Sequence, residues 1–536
     1  MSFCRIIGAF IFKRKLNTFS EKNLAEKWIL PSGQKTDICV YNPITKTKVP
    51  FILNDLNYVT WYMCGPTVYD SAHLGHASCY VKFDIVRKIL TGFFGLHIVQ
   101  AMSVTDVDDK ILVRAAQQGE DAASLARRYT VEFFEDMASL GVEPPSLRLA
   151  VTDHIPDIVA FVQVLINKRA AYVANGSVYF DTSSDARYGK LSGATVEEER
   201  EVRPDGEKRS PRDFALWKAA KAGEAAWLSP WGAGRPGWHI ECSAMASAVF
   251  GHSVDIHSGG VDLLFPHHEN EEAQSCLYHT TPQWVNYWLH AGQLRVNSDH
   301  KMSKSLGNTV SVRQFLSRHT AAQFRMFCLL SHYRRGVEYS PAAMEKAVAV
   351  SRRLEAFLHA CRAAQRGPGS SVSAFFLLQR LSETQRRLLG ALADDFDTGS
   401  ALAAILDLVS DTNKELQLHQ EQGPEASAGN AGVLAAVADF VRKSLARLGV
   451  HFPSLEALGS ANQAGGGAVN TEAVLEAVVQ FRSRVRLTAL QEGSPAAQRC
   501  RLLQACDELR DELRLAGVTL KDHGQLSSWS VSSQQP

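Results

Sequence analysis

Two short segments of the chain carry residue types suited to handling phosphate. In Cys64-Gly-Pro-Thr-Val-Tyr-Asp-Ser-Ala-His73-Leu-Gly-His76, two histidines flank Gly75 where a strand-like apolar run, 58–63, gives way to a helical pattern. The amides and the positive dipole end of a helix start attract phosphate. Gly75 lets a nucleotide approach the backbone closely, and the imidazoles can donate to a phosphoryl group as charge builds on it. A packed helix start would read the same way. Far downstream, Lys301-Met-Ser-Lys304-Ser305 places two lysines and two serines in one short polar loop. That composition suits a loop that covers a triphosphate and stabilises departing pyrophosphate, although a solvated charged loop shares it. The two segments in this order are far more specific than either one. His267 and Glu271 are four residues apart and share a helix face, with Cys242 in a separate segment. From 10 cysteines and 18 histidines, residue types alone do not single out a metal-ligand set.

The His73–His76 and Lys301–Ser305 segments resemble the signature pair of class I aminoacyl-tRNA synthetases. The surrounding stretches CGPTVYD, TDVDDK, PGWHIECSAM, DIHSGG and DLLFPHHENE resemble cysteinyl-tRNA synthetases, over about residues 38–530. The resemblance implies an α/β fold: a Rossmann-like parallel-sheet catalytic domain with an insertion, then an all-α C-terminal anticodon-binding region. It implies ATP-dependent ligation of L-cysteine to tRNA(Cys) through cysteinyl-adenylate, with His73, His76, Lys301 and Lys304 as catalytic residues. Zn²⁺ on Cys64, Cys242, His267 and Glu271 would select the substrate thiol, a donor set suited to that metal. Cysteine would lie beside it, against Gly65, Thr105, Trp238 and His267. ATP, accompanied by Mg²⁺, would meet His73, His76, Gly260, Asp262 and Lys304. Asp262 could accept from ribose hydroxyls or serve as a helix N-cap. His268 and Glu269 fall on other faces of an ideal helix and are poorer ligand candidates. After TDVDD the chain reads Lys110-Ile-Leu-Val113, without the second basic residue expected there, which puts in doubt the persulfide-forming side activity of the family. Two other readings are a ligase joining cysteine to a small amine and an inactive tRNA-binding regulator. The long helical region after the lysine segment opposes the first, and the intact histidines, lysines and metal candidates oppose the second.

These residues need a scaffold, and the pattern supplies one. Apolar runs at 58–63 and 97–104, with a helical pattern between them, predict a βαβ unit. Runs at 254–258 and 284–290, with a helix opening near Pro266, predict further parallel strands. The stretch 147–217, with a short strand at 176–180 and a charged segment at 197–212, reads as an insertion. The expected boundaries are a catalytic domain at 38–315, a helical stem-contact region at 316–365, a helical anticodon-binding region at 373–520 and a frayed tail at 521–536. Glycine-rich breaks near 367–371, 423–432 and 465–467 are linker candidates. Arg482, Arg484, Arg486, Arg499 and Arg501 are candidate tRNA phosphate contacts. The chain has 57 Lys and Arg against 56 Asp and Glu, so any nucleic-acid surface must be local rather than global. Scattered cysteines oppose a secreted disulfide framework, and no apolar run reaches the roughly 20 residues of a membrane span. Residues 1–20 hold Arg5, Lys13, Arg14 and Lys15, no acid, and apolar residues at helical spacing. That combination predicts a mitochondrial targeting segment and a matrix location.

Overall fold

The computed structural model describes residues 28–55, 58–193, 207–221, 224–296, 300–302, 309–366, 372–421, 431–452, 471–490, 495–523 and 526–531. The leader, Lys304 and most of the linker candidates lie outside the described residues.

A hairpin, β1 (Gln34–Asn42) with β2 (Thr47–Leu53), precedes the catalytic sheet. The sheet begins with β3 (Val59–Met63), followed by α1 (Leu74–Gly92) and β4 (Ile98–Val104). After α2 (Asp109–Gln118) and α3 (Ala122–Ser139) comes the edge strand β5 (Leu147–Ala150), and then α4 (Ile155–Asn167). The insertion is a four-stranded antiparallel sheet of β6 (Ala171–Ala174), β7 (Ser177–Phe180), β8 (Phe214–Ala219) and β9 (Gly234–Pro236). Its sheet therefore runs past the expected boundary at 217, and Leu147–Ala150 belongs to the parallel sheet instead. The chain re-enters that sheet through α5 (Trp238–Phe250), β10 (Val254–Gly260), α6 (Glu269–His279) and β11 (Val285–Ala291).

The five parallel strands lie in the order β11-β10-β3-β4-β5. β10 and β11 are buried almost throughout. Continuous burial on both faces is the parallel-sheet signature. From β3 the chain crosses to β4 on one side, while β10 pairs with β3 on the other. The crevice at the carboxyl ends of β3 and β10 is therefore a topological switch point, where open α/β sheets bind ligands. Covering one face, α1 packs on α8 (Ala321–Leu329), which follows α7 (Val312–Leu316). A buried ion pair joins α1 and α8: Arg325 donates to Asp84 at 2.5 Å and to the Gly141 carbonyl at 2.7 Å.

Between β11 and α7 run β12 (Leu294–Val296) and the two-residue β13 (His300–Lys301), with β14 (Val337–Glu338) beside β12. Beyond lies a helical array of α9 (Pro341–Arg366), α10 (Ala374–Ala393), α11 (Thr398–Glu421) and α12 (Ala431–Arg447). Asp395, at φ 62° in the α10–α11 turn, ties the array to the catalytic domain. Its carboxylate accepts from the Tyr41 amide at 2.9 Å, Tyr333 Oη at 3.1 Å and Arg334 Nε at 2.7 Å.

The C-terminal segment departs from the all-helical expectation. After α13 (Thr471–Leu490) and α14 (Ala496–Leu515), β15 (Val518–His523) pairs antiparallel with β16 (Leu526–Val531) where a frayed tail was expected. Val479, Val518 and Leu520 form a small separate core, packed against Leu475, Leu513 and Trp529. Arg482, a candidate phosphate contact, is only 1% exposed and donates twice to Asp522, at 2.7 and 3.1 Å, and to the Cys506 carbonyl. It braces this module and does not face RNA. Arg486 leans on the same carboxylate at 3.8 Å, whereas Arg484, Arg499 and Arg501 are exposed.

Partial burial works against ionisation of Asp522, yet Arg482 and Ser527 hold its carboxyl down to about 2. Because the folded value lies below the ordinary value of about 3.9, this contact stabilises fully above that range and fades as pH falls from about 4 to 2. Hydrogen exchange in residues 471–531 should lose protection across that window, and Asp522→Asn should abolish the dependence. An unchanged pH profile in Asp522→Asn would refute the assignment.

Candidate functional site

The candidate residues converge on the carboxyl ends of β3, β4 and β10. Directly after β3, the Cys64 amide donates to the Ser258 carbonyl at 3.0 Å. The Gly65 amide donates to Ser103 Oγ at 2.9 Å, and a Cβ on Gly65 would lie 1.6 Å from the Ser103 carbonyl oxygen. Only glycine allows this approach. Thr105, just past β4, is locked to the same turn by amide bonds to and from Pro66 and Val68.

Four side chains from three separated segments meet here. Cys64 Sγ lies 3.8 Å from Cys242 Sγ and 3.7 Å from Glu271 Oε1, and His267 Nε2 lies 3.0 Å from Glu271 Oε1. The four ligand atoms all fall within 4.8 Å of one another, and all four residues are buried. Tetrahedral Zn²⁺ with Zn–S bonds of about 2.3 Å requires a sulfur–sulfur edge of about 3.8 Å. The observed edge matches, so two sulfurs, one imidazole and one carboxylate fit this metal. A supporting layer orients them: His239 Nδ1 lies 2.9 Å from His267 Nδ1, and His257 Nε2 lies 2.9 Å from the second oxygen of Glu271. Partners of this kind set the tautomer and ring orientation of metal ligands.

The cluster's charges are strongly coupled. A hydrogen bond from Cys64 brings the Cys242 thiol down to about 5 against burial, while burial pushes Cys64 well up. Burial opposes the charge on Glu271, but His257 and His267 hold it at about 2. His267 is likewise penalised by burial, yet Glu271 and Cys242 raise it to about 10. Metal binding would expel that proton.

The structure also corrects the ranking of His268. Its Nε2 lies 3.4 Å from Cys64 Sγ, its Nδ1 lies 2.8 Å from His290 Nε2, and it belongs to a second possible ligand group with Cys64, His257 and Glu271. The ideal helical wheel fails here because 264–268 form a separate wide turn with extended Phe265, and α6 begins only at Glu269. Glu269 does point elsewhere, accepting from the amides of Gly189, Leu191 and Ser192 in the insertion. His257 and His290, beside this cluster, were not singled out in the sequence. β10 and β11 are buried on both faces, so no alternation marks an inward histidine.

The phosphate side assembles at the start of α1. His73 is its N-cap, the first turn holds no acid, and the His73 and His76 rings stack with centroids 3.8 Å apart. A Cβ on Gly75 would lie 2.7 Å from the His73 ring and 3.5 Å from Met302 Cβ. Buried Met302 thus packs on this turn, the Leu74 amide donates to the Val310 carbonyl at 2.9 Å, and His73 bridges Ser311. Met302 of the distant lysine segment and Val310–Ser311 beyond it therefore both touch the His73–His76 turn. The Lys301 backbone pairs with Arg295, while its side chain and all of Lys304 lie outside the described residues. Gly260 caps the short turn Val261–Leu263, so Asp262 is not the N-cap; it is exposed within that turn. Trp238 is 39% exposed and stacks on His267 with centroids 4.3 Å apart.

On α2, Arg114 directly follows the Lys110–Val113 stretch and shares a face with Lys110. It pairs with Asp70 at 3.5 Å, and with Lys110 and Tyr69 lines a depression of about 390 Å³.

Comparisons with known proteins agree with this geometry. Residues 51–349 match the class I (C) tRNA synthetase catalytic domain, and residues 389–452 match the DALR domain. The chain is 42% identical to a Xenopus tropicalis protein named probable mitochondrial cysteine–tRNA ligase, over 94% of this chain and 91% of that protein. It is 39% identical to a cytoplasmic cysteine–tRNA ligase of Dictyostelium discoideum, over 96% of this chain and 81% of that protein. A Mycobacterium tuberculosis methionyl-tRNA synthetase bound by methionyl-adenylate superposes with a TM-score of 0.53 at 14% identity, over 73% of this chain and 90% of that one, a likeness of fold. With a catalytic-domain match across more than half its length and such relatives over nearly all of it, the chain belongs to the cysteine–tRNA ligase family of class I tRNA synthetases.

Proposed function

We propose that the chain joins L-cysteine to tRNA(Cys) in two steps on one site. The cysteine carboxylate attacks the α-phosphorus of ATP, giving cysteinyl-adenylate and pyrophosphate. The terminal ribose hydroxyl of the tRNA then attacks the acyl carbon and releases AMP. The observation that carries this reading is the clustering of Cys64, Cys242, His267 and Glu271, their ligand atoms within 4.8 Å of one another, beside the His73–His76 turn against which the lysine segment packs.

In this reading those four residues would hold Zn²⁺, which would supply a borderline-soft Lewis acid that favours a thiol over a hydroxyl. Trp238, His267, Gly65 and Thr105 enclose the amino acid. His73 and His76 donate to the α-phosphate, Gly260 and Asp262 receive the ribose, and Lys301 and Lys304 balance the charge of departing pyrophosphate; ATP enters with Mg²⁺. The residues position and stabilise, and none is needed as a covalent nucleophile. Residues 38–315 serve as the catalytic domain, 316–365 as the stem contact and 373–520 as the anticodon-binding region. The test is cysteine-dependent ATP–pyrophosphate exchange by the purified full chain; absence of exchange refutes the reading.

Lys304→Ala should lower kcat for exchange by about 10²–10³, the scale of a lost oxyanion donor, with the KM for cysteine nearly unchanged. An equal loss in cysteine binding would count against the role. Residues 1–20 direct the chain to the mitochondrial matrix in this reading. A full-length fluorescent fusion should therefore be mitochondrial and one lacking residues 1–20 cytosolic; a cytosolic full-length fusion overturns the assignment.

A further inference from the structure

We propose that Glu241, acting with Thr105, is the specificity residue for the α-ammonium of the amino-acid substrate. The proposal rests on the zinc-side pocket being the cysteine site. Glu241 lies in the first turn of α5, three residues after Trp238 and directly before Cys242, and is 2% exposed. Its Oε2 receives the Thr105 hydroxyl at 3.3 Å. Among the described residues no Lys, Arg or His forms an ion pair with it, and the Thr105 hydroxyl is its hydrogen-bond donor. Burying a carboxylate without a cation is costly, and such groups cluster where a ligand brings the missing charge.

The substrate supplies that charge. An amino acid presents three polar groups around one carbon, so a site that reads all three needs three walls. The thiol wall is Cys64, Cys242, His267 and Glu271. The carboxylate must face the His73–His76 turn, where the α-phosphate is held. Thr105 and Glu241 make a third wall: Thr105 follows β4, joined to the thiol wall through Ser103, whose Oγ receives the Gly65 amide and lies 3.8 Å from Cys242 Sγ. An ammonium donates to a hydroxyl and a carboxylate at once in charge-assisted bonds.

The experiment compares cysteine with 3-mercaptopropionate, which keeps thiol and carboxylate but lacks the amino group. In the full chain, Glu241→Gln preserves shape and hydrogen bonding and removes only charge. The KM for cysteine in pyrophosphate exchange should rise about tenfold to a hundredfold, the worth of a hydrogen bond to a charged group. The inhibition constant of 3-mercaptopropionate, the KM for ATP and the zinc content should not change. Thr105→Val should show the same selective loss, which keeps the test decisive if Glu241→Gln folds poorly. A cysteine KM within twofold of wild type, or parallel losses for cysteine and 3-mercaptopropionate, overturns the proposal. Absence of cysteine-dependent exchange in the wild-type chain is a separate result: it overturns the cysteine reading itself, and the proposal with it.

Discussion

Cys242→Ser or His267→Ala is expected to raise the KM for cysteine by at least about a hundredfold and to reduce bound zinc, with the KM for ATP little changed. Cysteine and serine differ by one atom, and an apolar pocket separates such near-isosteres by only about a hundredfold. The 3.8 Å sulfur–sulfur edge between Cys64 and Cys242 points to a stronger discriminator. A thiol is a softer and more acidic ligand than a hydroxyl, and metal-bound thiols are deprotonated. Cys242→Ser keeps the volume but exchanges a soft donor for a hard one. His267→Ala removes both a ligand and the ring on which Trp238 stacks, so it should be the more severe of the two. X-ray absorption at the zinc edge, with and without cysteine, checks the idea directly. An unchanged count of sulfur ligands on adding cysteine would sink it even if the protein still charged tRNA.

A chain ending at Phe452 is expected to retain cysteine-dependent pyrophosphate exchange while its tRNA charging falls by about a hundredfold or more, the scale of losing several phosphate contacts. The cut follows the architecture. Residues 471–531 have their own small core, so their removal leaves the catalytic sheet and the Asp395 junction intact. A cut near Gly367 would instead remove Asp395, stripping a buried acceptor from Tyr41, Tyr333 and Arg334, and would confuse lost recognition with lost folding. Charging by the shortened chain at the full-length rate would refute a tRNA role for the C-terminal module. Arg484→Ala with Arg499→Ala in the full chain should weaken tRNA binding more as salt is lowered, whereas Arg482→Ala should act through stability, because Arg482 is buried on Asp522.

Much of the catalytic half was legible because its signals are local. The apolar runs of β3 and β4 announce buried strands, the glycine between His73 and His76 announces a close approach, and the four-residue spacing of His267 and Glu271 brings them to 3.0 Å. The family resemblance, carried by contiguous motifs, joined Cys64 and Cys242 to that pair, and the fold places all four together. Patterning failed where pairing is long-range or periodicity is interrupted. The β1–β2 hairpin was not read from the sequence, and 521–536 read only as a frayed tail, because a hairpin forms by pairing across the chain and not by local periodicity. His268 was misjudged because the wide turn at 264–268 breaks the helical wheel.

By itself the sequence determined the family and the parallel-sheet catalytic half, since these depend on contiguous motifs and on hydrophobic runs longer than a turn. The strand order β11-β10-β3-β4-β5 decided the rest. It brings Cys64, Thr105 and Gly260 to one crevice, sets Glu241 against Thr105 and His268 against Cys64, and seats Met302 on Gly75. Contacts between residues tens to hundreds of positions apart are fixed by which strands pair and which faces are buried, and no local spacing encodes them.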